Sequence, residues 1–441
     1  MKPLKSQTAE ALNGTIIVPG DKSISHRALM FGGLAIGETR IEGLLEGEDV
    51  LATAEAFRQL GCRVEKSADG GWRVTGRGIG GLSEPADILD MGNSGTAARL
   101  LMGVLAAHPF SATFSGDASL NSRPMGRVTE PLSRMGATFQ TREGGRLPMT
   151  MTGLADPLPI EYELPVASAQ VKSAILLAGL GAAGQTRVIE PKPTRDHSEL
   201  MLKAFGATVD VTDREDGARV VTVHGQPELM ARDVIVPGDI SSAAFPMVAA
   251  LLRPASRITI NNVGINPLRA GLIQTLQEMG GKIAIQNERI EAGEPVADLQ
   301  VEGSPLKGIT VPPQRAPSMI DEYPVLAVAA SCAEGTTRLE GLRELRVKES
   351  DRLGGMARGL AAAGVDLEEG EDYLVIHGTG MPPKGGAEIE TSLDHRIAMA
   401  FLVLGMISSE QITIDDAEPI ETSFPGFTEL MNGLGAKIQG A

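Results

Sequence analysis

One phrase recurs six times along the 441-residue chain: an amphipathic helix that ends on glycine and runs at once into a short strand. The copies are EAFRQLGCRVE, EPLSRMGATFQ, LMLKAFGATVDV, TLQEMGGKIAI, GLAAAGVDLEE and LMNGLGAKIQ, about 70 to 85 residues apart. Each glycine (Gly61, Gly136, Gly206, Gly280, Gly364 and Gly435) stands where a helix needs a left-handed residue just past its end, and strand-forming residues follow. Self-similarity at this period means the chain is an array of one supersecondary unit.

A second phrase interleaves with the first. KSISHRALMFGGLAIGETRI, SGTAARLLMGVLAAHPFSATF, SAQVKSAILLAGLGAAGQTRVI, ISSAAFPMVAALLRPASRITI, DEYPVLAVAASCAEGTTRLE and DHRIAMAFLVLGMISSEQITI each open on small polar or charged residues, run through a helix that is apolar on nearly all faces, and turn into a strand. A helix apolar all round is a buried helix. Each unit therefore has one buried helix, one surface helix and short strands. Six units make an α/β fold with parallel helices inside and sheets outside.

At 441 residues two domains are the default. The stretches IIVPGDKSISHR at 16–27 and VIVPGDISSAAF at 234–245 mark the crossings. The expected division is an inserted domain, 20–237, within a discontinuous one, 1–19 plus 238–441, with hinges near 19–21 and 237–239. The formal charge of −16 argues against a nucleic-acid partner, yet a local basic cluster can still hold a small anion. Cys62 and Cys332 are far apart and read as core residues of a reduced, cytoplasmic protein, and the six histidines form no metal-binding spacing. The N-terminus has no apolar leader, and no run is long enough to span a membrane.

The six buried helices begin at Lys22-Ser23, Ser94-Gly95-Thr96, Ser168-Ala169-Gln170, Ser241-Ser242, Asp321-Glu322 and Asp394-His395-Arg396. Helix N-termini offer unpaired N–H groups and partial positive charge, so several gathered at one end of a domain would make an anion site. The bland alternative is a repeat scaffold without chemistry.

PGDKSISHRALM, GNSGTAARLLMG, GDASLNSRPMGRV, ASAQVKSA, RVKESDRL and LDHRIAMAF together resemble the motif set of the 5-enolpyruvylshikimate-3-phosphate synthases, in family order and over essentially the whole chain. The resemblance implies a two-domain inverse α/β barrel. It also implies transfer of the enolpyruvyl group of phosphoenolpyruvate to the 5-hydroxyl of shikimate 3-phosphate, through a tetrahedral ketal, with release of phosphate. No cofactor or metal is implied, and a monomer is expected. The two domains would close on their ligands.

The resemblance assigns roles residue by residue. Lys22 contacts both substrates and takes part in proton transfer; otherwise it is a solvated loop lysine, although Ile240 fills the same place in the other VPGD copy. Ser23, Arg27, Ser168, Ala169, Gln170, Arg195, Asp321 and Lys348 contact shikimate 3-phosphate, Arg27 lying one helical turn beyond Ser23. Gly95, Arg123, Gln170, Arg352 and Arg396 contact phosphoenolpyruvate. Gly95 could instead be merely a good helix start, and Arg123 or Arg127 a surface salt bridge. Asp321 becomes the base for the 5-hydroxyl proton, against an ordinary N-cap. Glu349 handles the C3 methylene proton, against an i,i+3 ion pair with Arg352 on a helix surface.

Two features depart from the usual pattern. Ala169 stands where many members have a second serine. Thr422 in IETSFPGF replaces a lysine that would face phosphoenolpyruvate. With MGRV, ASAQVKSA and TRDH, the second change resembles the subclass that includes glyphosate-tolerant members; because Gly95 leaves the pocket wide, at most partial tolerance to this inhibitor is expected. The closest rival, the enolpyruvyl transferase acting on UDP-N-acetylglucosamine, has a Lys-Asn pair at its first motif and usually a loop cysteine. Here the pair is Lys22-Ser23, and no cysteine lies between Cys62 and Cys332. A non-catalytic anion-binding repeat protein would not need Asp321 and Glu349 among so many arginines.

Overall fold

The computed structural model describes all residues, Met1–Ala441. In it Gly61, Gly136, Gly206, Gly280, Gly364 and Gly435 all have φ between +86° and +112°, a region glycine enters without a Cβ penalty. Each ends one of six surface helices, and the next strand begins within three residues.

The helices run in chain order α1 (Lys22–Leu34), α2 (Glu48–Gln59), α3 (Gly95–Leu105), α4 (Ala118–Ser122), α5 (Gly126–Arg134), α6 (Ala169–Gly179), α7 (His197–Ala204), α8 (Ile240–Leu251), α9 (Gly271–Glu278), α10 (Tyr323–Cys332), α11 (Arg352–Ala362), α12 (His395–Gly405) and α13 (Phe427–Leu434). Helices α1, α3, α6, α8, α10 and α12 are the buried set; every residue of α8 is buried. Five of the six are capped by the side chain before them: Asp21, Ser94, Ser168, Asp239 and Asp394 each accept a backbone N–H of the first turn.

Six four-stranded sheets accompany the six buried helices. In five of them a short strand pairs parallel with the strand that follows a buried helix; that strand pairs antiparallel with a third, and the third antiparallel with a fourth. The sixth has the same order, with Asn13–Ile17 parallel to Arg257–Gly264. Strands such as Arg146–Thr152 alternate buried and exposed, so one face packs inward and the other meets solvent.

Two compact units result. One comprises Met1–Pro19, Pro237–Arg289 and Pro295–Ala441; the other comprises Gly20–Val236 and Ile290–Glu294. Each has its own hydrophobic core. The two VPGD copies carry the chain out after Pro19 and back at Pro237, and each ends in the aspartate that caps a buried helix. Residues 290–294 fall inside the range expected for the C-terminal-type domain but group with the inserted unit, where Glu294 Oε1 lies 2.7 Å from His197 Nδ1. The sequence offered no sign of this, because the segment is the tip of a hairpin far from either VPGD. Cys62 sits in the turn after α2 and Cys332 at the end of α10, and burial pushes both thiols up to about 11. No helix is long and apolar enough to cross a membrane.

Candidate active site

In the inserted unit, the aspartate cap fixes the start of α1 and so places Lys22 at its first position. Lys22 Nζ lies 2.6 Å from Asp49 Oδ2, in the first turn of α2. Arg27 does not stand open beside Ser23. Its guanidinium is buried and donates to Ser198 Oγ (2.8 Å), Ser173 Oγ (2.8 Å) and the Ser23 carbonyl (2.9 Å). Burial lowers its pKa to about 10, with Glu199 opposing and Arg195 adding to the shift, so it stays charged at neutral pH.

A second group joins α3 and α6. Arg99 Nη1 donates to Gln170 Oε1 (2.7 Å), and Gln170 Nε2 donates to Thr96 Oγ1 (2.9 Å). Gln170 is thus held between two helix starts, with Ser168 capping α6 and Ala169 as its first residue. Arg123 follows α4 and donates to Asn93 Oδ1 (2.8 Å) and Ser119 Oγ (2.9 Å), so its partners are an amide and a hydroxyl, not the carboxylate of a surface salt bridge. Burial lowers the Arg99 pKa to about 10, and Arg123 and Arg127 push in the same direction. Arg127 itself is exposed on α5.

In the other unit the predicted residues converge on Arg352, whose side chain is fully buried. Nε donates to Asp394 Oδ2 (2.8 Å), Nη1 to Asp321 Oδ1 (3.2 Å), and Nη2 pairs with Glu349 Oε2 (2.6 Å). Lys348 Nζ is 3.5 Å from Asp321 Oδ1, and Arg396 Nη1 donates to the Asp321 carbonyl (3.0 Å). Two of the alternative readings fall here. Asp321 is not a helix cap: α10 begins at Tyr323 with Glu322 before it, and the Asp321 carboxylate faces cations instead. Glu349 and Arg352 are not a pair on a helix surface either. Helix α11 begins at Arg352, capped by Asp351, and Glu349 lies in the segment leading into it.

Residues without an assigned role complete this cluster. Arg269, on the turn before α9, donates to Asp239 Oδ1 (3.2 Å) and Ser241 Oγ (2.9 Å) and lies 3.9 Å from Asp321 Oδ2. Glu322 accepts from Ser241 and lies 3.7 Å from Arg396 Nη1. The starts of α8, α10 and α12 are therefore tied together, and four cations (Arg269, Lys348, Arg352, Arg396) face five carboxylates (Asp239, Asp321, Glu322, Glu349, Asp394). Burial works against the Glu349 carboxylate, but Arg352 overrides it and holds the pKa well below the usual range. Burial likewise opposes the charge on Arg352, and Glu349, Asp394 and Asp321 push its pKa up. An anionic ligand must take cations from these partners. Thr422 ends a 3-10 turn and donates to the Pro419 carbonyl (2.8 Å), so it supplies no charge. Arg99 and Asp394 could have been singled out from sequence, since each puts a charge at the start of an apolar helix; Asp49 and Arg269 carry no such signal.

Two buried histidines beside these groups contribute to the acid dependence of stability. Burial lowers His26 and His395 from 6.5 to about 3, so both are neutral in the folded protein. The unfolded chain takes up their protons below about pH 6.5 and the folded one does not. Stability is therefore present above that pH and declines as pH falls toward 3, by at most ~1.4 kcal/mol per pH unit per histidine. Denaturant titrations between pH 7.5 and 5 should show this slope, shallower by one proton in His26→Gln. An unchanged slope in that variant would contradict the burial argument.

The fold is that of the enolpyruvyl transferases. The enolpyruvyl transferase NikO from Streptomyces tendae superposes on it with a TM-score of 0.77 at 19% identity, over 99% of this chain and 98% of that one, a likeness of fold alone. The structure of EPSP synthase from Acinetobacter baumannii superposes with a TM-score of 0.91 at 47% identity, covering both chains fully. Residues 6–431 match the family EPSP synthase (3-phosphoshikimate 1-carboxyvinyltransferase). Proteins named 3-phosphoshikimate 1-carboxyvinyltransferase from Paramagnetospirillum magneticum and Rhodospirillum rubrum are 65% and 62% identical, covering 100% and 99% of this chain and 98% of each relative. The chain belongs to the EPSP synthase family.

Proposed function

We propose that this enzyme transfers the enolpyruvyl group of phosphoenolpyruvate to the 5-hydroxyl of shikimate 3-phosphate. The observation that carries the reading is the Arg352 cluster: a carboxylate, Asp321, set among Arg352, Lys348 and Arg269. A base for a sugar-like hydroxyl and cations for a phosphorylated carboxylate are what the reaction needs. Asp321 takes the hydroxyl proton as the oxygen attacks C2 of phosphoenolpyruvate and C3 gains a proton. The ketal then loses phosphate from C2 and a proton from C3, with Glu349 and Lys22 sharing the transfers at carbon.

Guanidinium groups suit the phosphate and carboxylate of phosphoenolpyruvate because they pair with either oxygen set bidentately. Arg123, Arg352, Arg396 and Lys22 serve it in this reading, with Gly95 and Gln170. Lys22, Ser23, Arg27, Ser168, Ala169, Gln170, Arg195, Asp321 and Lys348 serve shikimate 3-phosphate. The reading takes the enzyme as a cytoplasmic monomer. Two unpaired cysteines suit a reducing compartment. Phosphate release from phosphoenolpyruvate that requires shikimate 3-phosphate tests the activity. Release with UDP-N-acetylglucosamine instead, or with neither acceptor, would overturn it.

Glyphosate, as a competitor of phosphoenolpyruvate, probes Gly95. A Cβ there would stand 2.9 Å from Arg99 Nη1 and 3.5 Å from Arg123 Nη1. Arg99 cannot yield without disturbing its bond to Gln170. Gly95→Ala should raise the glyphosate inhibition constant by about tenfold or more and the KM for phosphoenolpyruvate by clearly less. Equal increases would refute the steric account.

A further inference from the structure

Lys172 lies at the fourth helical position of α6, and its side chain is fully buried. The same position of the other five buried helices holds Ser25, Ala98, Ala243, Leu326 and Ala398, each with no exposed surface. The repeat unit therefore packs there with a small or apolar residue and has no need of an ammonium group. An apolar replacement for a buried ion pair is often no less stable, so the charge calls for a reason beyond stability.

Its partners suggest one. Lys172 Nζ lies 2.7 Å from Glu199 Oε1 on α7 and 3.0 Å from Glu190 Oε2, and contacts the Thr194 carbonyl at 3.4 Å. Glu190 in turn accepts from the Thr194 backbone N–H (3.1 Å) and from the Thr194 hydroxyl. Thr194 is the residue before Arg195. The neighbours of Lys172 and Glu199 are Ser173 and Ser198, which lie 2.7 Å apart and both accept from the Arg27 guanidinium. One buried cage thus clamps α6 to α7 beside the Arg27 seat and laces the loop 191–196 that presents Arg195. Burial pushes the Glu199 carboxyl up despite the lysine beside it.

We propose that Lys172, Glu190 and Thr194 are positioning residues for shikimate 3-phosphate: the cage fixes Arg27 and Arg195 for the phosphorylated acceptor without touching it. This rests on the reaction proposed above. The bonds of Lys172 and Glu190 run to each other, to Glu199 and to Thr194, and none runs to Gly95 or Arg123, so loss of the cage should move the acceptor more than phosphoenolpyruvate. Misplacing a binding group by an ångström can cost on the order of a hundredfold.

Calorimetric titration with shikimate 3-phosphate and steady-state phosphate release, on the full chain, test it. Thr194→Val keeps the shape and removes one bond to Glu190; Lys172→Met removes the centre of the cage. Affinity for shikimate 3-phosphate should fall severalfold in the first and about tenfold or more in the second, with the KM for phosphoenolpyruvate within about twofold of wild type in both. If Lys172→Met does not fold, Thr194→Val decides alone. Adding Glu199→Gln to Lys172→Met should recover melting temperature but not affinity, which a purely structural role would recover together. Unchanged affinity in folded Thr194→Val, or parallel loss for both substrates, overturns the proposal. Wild-type protein that lacks the transferase activity would instead overturn the reaction on which it rests.

Discussion

Arg352→Met should melt on the order of 10 °C below wild type and lose about a thousandfold in kcat/KM for phosphoenolpyruvate. The two effects have different origins. Removing one partner from a buried ion cluster costs about 3–5 kcal/mol, because the remaining charges stay buried without it. Here three carboxylates, those of Asp321, Glu349 and Asp394, would face one another across a methionine. At roughly 2–4 °C per kcal/mol for a domain of this size, that gives the fall in melting temperature. The catalytic loss is a ligand effect: two charge-assisted bonds at about 1.5–3 kcal/mol each account for a factor near a thousand. Assays at a temperature where circular dichroism shows the variant folded keep the two apart. Arg352→Lys should recover part of the melting temperature and little of the KM, since a point charge cannot serve three directions as a guanidinium does. A folded Arg352→Met with unchanged KM for phosphoenolpyruvate would remove Arg352 from the site.

How far the sequence reached depends on the range of the interaction concerned. The six glycines and the six buried helices were legible because each rests on a local rule, a left-handed residue after a helix or an apolar surface all round. Asp321 was found by its motif, but the start of its helix lay two residues further on than the sequence suggested: Asp is the better capping residue, yet α10 begins at Tyr323 with Glu322 before it and no side-chain cap. The alternative of Glu349 and Arg352 as an i,i+3 pair on a helix surface stayed open in the sequence because the capping role of Asp351 between them was not weighed. What stayed hidden joins elements that are distant along the chain. Arg99 meets Gln170 across 71 residues, and Arg269 meets Asp239 across 30. Lys172 meets Glu199 27 positions on, in a helix of its own. Such pairs follow from which helix start faces which, and no local pattern encodes that.

Asp321→Asn should lower kcat by about a thousandfold, within the range usual for losing a positioned acid or base, while leaving the melting temperature and both KM values close to wild type. The amide is isosteric and keeps an oxygen for Arg352 Nη1. Arg352 also keeps Glu349 and Asp394, so the cluster is not left with a buried cation lacking partners. Only the capacity to accept the hydroxyl proton goes. That pattern is the converse of Arg352→Met, where binding and stability move together. The residual activity should also lose the acid limb of the kcat–pH profile if Asp321 is the group that must be ionised. Glu349→Gln supplies the control. Glu349 is held ionised by Arg352 and lies on the other side of the same guanidinium, so it is placed to exchange protons once phosphoenolpyruvate takes that arginine. If Asp321→Asn retained a tenth or more of wild-type kcat while Glu349→Gln abolished turnover, the base would be Glu349, and Asp321 would be left as a contact for the acceptor hydroxyl.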